Sequence, residues 1–370
     1  MRRGFAALPT GAMVLALALG VAAPGRAAAQ TAQAPPTPLT PLPPLLPNTV
    51  QPGTAAPAAQ PAPKPAPKPG AKPAAKPGAG AKAEPAKPPE PPPAGGGDLA
   101  YGAYQRGYFL TAYAEAQKRV SAGNDAAAMT LLGELYGRGF GVPQDLKKSR
   151  DWYKKAADAG SSDALFALGL MALTGQGEKA DEAAAARLFK TAAEKGSGAA
   201  AYNLGLLYLQ GRTVPKDVPE AAHWFEVAAN YDLEDAVYAL AVLVKEGNGV
   251  DKDNARAAKL MAKAARLGHV TAQVEFAIML FNGVGVPKDE AAAAAMFRRA
   301  ALSGNAIAQN RYARLLSAGR GAGQDKVAAA GWHLVAKKKG LGDPMLDDLV
   351  AKLPDADRQK AEALARKWGG

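Results

Sequence analysis

Residues 199–229, AAAYNLGLLYLQGRTVPKDVPEAAHWFEVAA, contain one complete folding unit. Ala200, Leu204, Leu207 and Tyr208 recur at helical spacing, which predicts a first helix from Ala199 to Gln210 with one apolar face. Gly211 ends it, because glycine enters the left-handed region without a Cβ penalty. In the short connection Thr213-Val214-Pro215-Lys216-Asp217, Val214 is expected to turn inward and Asp217 to cap the next helix through its carboxylate. A second helix, Val218 to Ala229, then directs Ala221, Trp224, Phe225 and Ala228 to the same interior.

The unit repeats every 36 residues. Ala128, Ala164, Ala200, Ala236, Ala272 and Ala308 form one column. Ala156, Ala192, Ala228, Ala264, Ala300 and Ala336 form a second, and Gly139, Gly175, Gly211, Gly247, Gly283 and Gly319 a third. A fixed period of this length marks a solenoid, in which no helix pair buries its apolar face alone and stability comes from stacking. The alanines let helices approach closely. Larger columns fill the space between pairs: Leu132, Leu168, Leu204, Leu240, Phe276 and Tyr312, and Trp152, Leu188, Trp224, Leu260, Met296 and Trp332.

Outward from the repeats, composition divides the chain. Residues 1–29 combine Arg2 and Arg3 with an apolar run from Ala12 to Ala23 and a small-residue site, Ala27-Ala28-Ala29, before Gln30. That run is too short to span a bilayer and fits a signal peptide, so the mature protein is expected to be exported, with no transmembrane segment. Residues 30–98 form a Pro/Ala/Lys-rich linker; 22 of the 30 prolines fall in 31–98, which predicts disordered, mainly polyproline II chain. Residues 99–124 read as an N-terminal capping helical pair, 125–340 as six repeats, and 341–370 as C-terminal capping helices. The formal charge of +12 is spread along the chain: three arginines in 1–30, six lysines against three acids in 31–98, and 36 basic against 30 acidic residues thereafter. No basic stripe with interleaved aromatics results, so no nucleic-acid partner is expected. The absence of cysteine removes disulfides and thiolate metal sites.

The motif Ala200-Ala201-Tyr202-Asn203-Leu204-Gly205-Leu206-Leu207-Tyr208, with Gly211, Val214-Pro215-Lys216-Asp217, Trp224-Phe225 and Ala228-Ala229, resembles the Sel-one-like repeat (SLR) family, a relative of the tetratricopeptide repeat. The loop Gly283-Val284-Gly285-Val286-Pro287-Lys288-Asp289 is its cleanest copy. Two positions depart: Lys179 replaces the loop proline of repeat two, and Asn230-Tyr231-Asp232 replaces the closing glycine of repeat three. The resemblance implies an all-α, right-handed superhelix of antiparallel helix pairs, its concave face lined by the first helices. It also implies an adaptor, exported members often acting in envelope signalling, cell-wall processes or host contact. The β-lactam link of a cysteine-rich subgroup does not carry over to a chain without cysteine.

On that geometry the groove residues lie two and six positions after each first-column alanine. Phe166, Tyr202 and Tyr238 would form an aromatic ladder giving way to Asn310, flanked by Asn203, Glu275 and Arg311, while Glu134 at one end gives way to Arg314 at the other. His223, His269 and His333 stand in separate units without a second ligand at helical spacing, and Gly319-Arg320-Gly321-Ala322-Gly323 is a sixth loop copy lacking the Lys-Ser/Thr of a phosphate loop. No catalytic residue, metal site or cofactor is expected. The reading is a non-enzymatic periplasmic or secreted scaffold or regulator, with an envelope or sensor protein as partner. The alternatives are a peptidoglycan-binding protein that uses the linker, and a cell-wall or β-lactam hydrolase.

Overall fold

The computed structural model describes residues 98–212 and 214–369. The expected signal peptide, and the linker apart from Asp98, lie outside these residues. Asp98 belongs to the fold, its carboxylate accepting the Tyr101 backbone N–H at 3.0 Å to cap α1 (Leu99–Gln105). With α2 (Phe109–Ala122), α1 forms the leading pair. Six pairs follow: α3 (Ala126–Arg138) with α4 (Leu146–Asp158), α5 (Ser162–Thr174) with α6 (Glu182–Glu194), and α7 (Gly198–Gln210) with α8 (Val218–Ala229). Then come α9 (Glu234–Glu246) with α10 (Asn254–Leu267), α11 (Val270–Asn282) with α12 (Glu290–Leu302), and α13 (Ala306–Ala318) with α14 (Lys326–Lys338). Two further helices close the chain, α15 (Pro344–Ala351) and α16 (Asp355–Gly369). From α1 to α15 each helix packs on its neighbours in the chain, and α16 packs back on α14, giving an all-α solenoid without strands among the described residues.

Local chemistry explains the boundaries. The first helix of each of the six repeats ends on a glycine in the left-handed region, Gly211 at φ 66° for example, where another residue would be strained. Every second helix of these repeats starts on an aspartate; Asp217 accepts the Glu220 backbone N–H at 2.9 Å. The next glycine of the loop has a second reason. A Cβ at Gly285 would fall 2.0 Å from the Asn254 carbonyl oxygen, and one at Gly321 would fall 1.9 Å from that of Glu290. The loop of one repeat therefore rests on the start of the previous second helix, with backbone against backbone.

Both alanine columns are buried, with no member more than 1% exposed. Between them lies a further column of knobs: Tyr153, Phe189, Phe225, Met261, Phe297 and His333, one per repeat. Opposite the first three stand Gly133, Gly169 and Gly205, where an added Cβ would lie 2.6, 2.5 and 2.7 Å from the facing ring. At the far end Trp332 stacks on Trp368 with centroids 4.2 Å apart, so α16 covers the last repeat. At the near end Ala100, Ala103, Ala112 and Ala116 pack with Ala128, Leu132 and Leu135. Among the described residues no helix is long and apolar enough to cross a membrane.

Candidate functional site: the first-helix face

The expected ladder does not stand open. Phe166 is 3% exposed and lies against Phe189, centroids 5.7 Å apart, while Tyr202 is 5% exposed and lies against Phe225 at 5.6 Å. In repeats two and three the position two residues after the column alanine faces its own repeat's second helix, whereas Thr130, Tyr238 and Asn310 reach Ser161, His269 and Asp343 at the start of the following unit. In repeats two and three the second helix brings an aromatic knob, the two rings enclose each other, and Gly169 or Gly205 makes the room. In repeat four the knob is Met261, the position opposite is Ala241, and Tyr238 remains half-buried, stacked on His269 at 4.2 Å. Of the three expected rings, only Tyr238 keeps substantial exposed surface.

Two asparagines also serve packing. Asn203 is buried, its side-chain amide donating to the Ala199 carbonyl at 2.8 Å. Asn310 is buried and donates to Asp343 Oδ2 at 2.8 Å, where Arg314 Nε reaches the same oxygen at 2.5 Å. Burial alone would raise the Asp343 carboxyl, but these two donors and the Arg314 charge bring it down to about 2. The cluster ties α13 to the start of α15, since Asp343 also caps the Met345 backbone N–H through Oδ1 at 3.1 Å. Arg314 and Arg311 are exposed. Glu275 is half-buried and paired with Lys245 at 2.9 Å across the repeat boundary.

Glu134, at the other end, is the best-built polar group on this face. It accepts from Tyr153 Oη at 2.8 Å and from Tyr104 Oη at 3.3 Å, and pairs with Arg138. Burial, reinforced by the Glu134 charge, pushes the Tyr104 phenol up to about 12 and holds the enclosed Tyr153 phenol well above its ordinary value. Around these groups α1, α3 and α5 enclose a cavity of ≈ 730 Å³, within the size range of small-ligand and side-chain pockets. Phe166 and Leu170 form part of its wall.

The histidines take structural places. His223 lies edge-on to Trp224, with centroids 5.1 Å apart. His269 caps α11, its Nδ1 accepting the Ala272 backbone N–H at 3.0 Å. His333 is fully buried, with Nε2 2.8 Å from Asp347 Oδ1. Among the described residues no group of three or more His, Cys, Asp or Glu side chains is set to hold a metal ion.

The knob column and the α1 cavity are what sequence reasoning missed. The signal for the first was present: glycine at 133, 169 and 205 sits inside predicted helices, where it costs about 1 kcal/mol relative to alanine without a packing reason. The cavity has no such signal, since it depends on where a seven-residue helix outside the period comes to rest.

The Sel1 repeat model matches six consecutive segments, 126–161, 162–197, 198–230, 234–269, 270–305 and 306–341, together more than half of the chain. This chain belongs to the Sel1 repeat family. Among solved structures it is similar to c5321, a protective antigen of uropathogenic Escherichia coli strains displaying an SLR fold, at 26% identity and a TM-score of 0.60 over 73% of this chain. The match spans 60% of that antigen's length. It is also similar to a Sel1 repeat protein from Oxalobacter formigenes, at 31% identity and a TM-score of 0.55, covering 69% of this chain and 77% of the other. No curated protein matches. Sel1 repeat proteins are generally protein–protein interaction scaffolds and typically non-catalytic.

Proposed function

We propose that this Sel1 repeat chain is a non-enzymatic scaffold or regulator of the cell envelope, periplasmic or secreted, that takes a segment of an envelope protein along its first-helix face. One observation carries the reading. The two buried alanine columns are unchanged from repeat to repeat, whereas the accessible positions of that face change character along its length. They pass from Glu134 through Tyr238 and the Lys245–Glu275 pair to Arg311 and Arg314. A surface that only closed a solenoid would need no such gradient, while a polar segment lying along it would be read in one direction. At the far end the exposed Arg311 fits an acidic stretch of partner, Arg314 being already paired with Asp343, and Tyr238 supplies a partly exposed ring for contact. The export of the chain rests on its first 29 residues. The experiment is in vivo photo-crosslinking from positions 238 and 311, with Lys259, exposed on the second helix α10, as the control position. Capture of an envelope protein from the first two and not the third is the expected outcome. Equal capture from 259 sinks the assignment of the face, and retention of the chain on isolated peptidoglycan without protein capture would replace it with wall binding.

A further inference from the structure

The cavity at the N-terminal end has a chemistry of its own, independent of what the rest of the face binds. Its wall carries five aromatic rings, Tyr101, Tyr104, Phe140, Tyr153 and Phe166, and three carboxylates. Two of these are neutralised: Asp98 by Arg119 at 2.5 Å, and Glu134 by Arg138. The third, Asp163 in the first turn of α5, is partly buried and has no hydrogen bond or ion pair from its carboxylate among the described residues. Burial alone raises its carboxyl, as expected for an anion drawn from water without a counterion. An unneutralised carboxylate beside aromatic rings fits a cation on an apolar stem, which is what lysine presents. Rings of this kind also take polyproline II segments, whose bound shape is already formed in the free state.

Both features occur together in this chain. Residues 64–77, KPAPKPGAKPAAKP, carry Lys64, Lys68, Lys72 and Lys76, each followed by proline and with no acid among them. The later lysines, Lys82 and Lys87, are interspersed with Glu84 and Glu90 and offer no net charge. The chain enters the described structure at Asp98, itself on the cavity rim, 22 residues after Lys76. At about 3.1 Å per residue that tether reaches roughly 68 Å at most, ample for a return to a rim at its own end. Gly95-Gly96-Gly97 places no Cβ in the way of a reversal. A tether of this length holds its end at an effective concentration on the order of millimolar, so a weak contact suffices for occupancy. We propose that the lysine–proline tract 64–77 docks back into the α1–α3–α5 cavity, a lysine ammonium pairing with Asp163 and the neighbouring prolines lying on the tyrosine rings. The tract is then an internal ligand, which any other occupant of that end must displace.

The test places a photo-crosslinking residue at Ala127 or Gln176, both exposed on the cavity rim, in the full chain at low micromolar concentration, and maps the products by mass spectrometry. The expected result is a concentration-independent, intramolecular crosslink into 64–77. Its yield should fall at least several-fold in Asp163→Asn and when the four lysines are replaced by glutamine. The lysine variant changes nothing in the described fold, so its result stands even if Asp163→Asn perturbs α5. Crosslinks mapping elsewhere in the chain, a yield that rises with concentration because a second copy supplies the segment, no crosslink from either position, or a yield indifferent to the lysines would each overturn the proposal.

Discussion

At the scale of single residues, the same position does different work in successive repeats, and the neighbour decides which. Tyr202 and Tyr238 are equivalent by period, yet one is enclosed by Phe225 and the other stacks at the surface on His269. His269 in turn takes the capping place held by Asp125, Ser161, Ser197 and Asn305 in other repeats. Capping through Nδ1 requires that nitrogen to be unprotonated. Desolvation lowers the His269 pKa below its ordinary 6.5, against the pull of Asp235, whose carboxylate lies 3.5 Å from Nε2. Glu234 is the other nearby charge, beside Gly268. A depressed folded value means that the unfolded chain binds the proton first. The cap's contribution is thus complete above 6.5 and is lost as the pH falls through the folded value. His269→Asn, which borrows the cap of repeat six, should leave stability near pH 7.5 within about 0.5 kcal/mol. Between pH 7.5 and 5 it should lose about 0.5–2 kcal/mol less than the natural chain, as judged by urea melts at both values.

At the scale of elements, the helix pairs of repeats two to four are matched through a triad: the ring of the first helix, the small residue three places on, and the knob of the second. Repeat three uses Tyr202, Gly205 and Phe225, while repeat four uses Tyr238, Ala241 and Met261. Gly205→Ala gains about 1 kcal/mol of helix propensity. It also drives a Cβ to within 2.7 Å of the Phe225 ring and 3.1 Å of the Ala221 carbonyl, overpacking that costs about 1–3 kcal/mol. The net expectation is a loss of about 1 kcal/mol. Adding Phe225→Met completes the triad of repeat four and should recover most of that loss. A double-mutant cycle reads the coupling, and additive effects would show that the triad is not a unit.

At the scale of the whole molecule, stability is a chain of nearest-neighbour interfaces with a cover at each end. The C-terminal cover is specific: Trp368 stacks on Trp332, and Asp343 gathers Asn310 and Arg314. Trp368→Ala should cost about 1.5–3 kcal/mol locally. In hydrogen exchange the loss should be concentrated in α13 to α16 and leave α7 to α10 nearly unchanged, because sub-global opening runs from the end inward. A uniform loss of protection would mean that the solenoid opens as one block.

The sequence by itself determined the architecture. Glycine at each first-helix end, aspartate at each second-helix start and alanine where helices cross are local requirements, and a 36-residue period repeats them where chance would not. It also determined the direction in which the accessible positions change, from Glu134 to Arg314. Only the tertiary structure decided which of these positions are surface. Whether Phe166 or Tyr202 faces solvent depends on Phe189 and Phe225, about 23 residues further along, and a period aligns repeats with each other without saying what meets across a pair. The α1 cavity was equally out of reach. It is made by a helix that breaks the period, and Tyr104 and Tyr153, 49 positions apart in sequence, become neighbours only because both reach for Glu134.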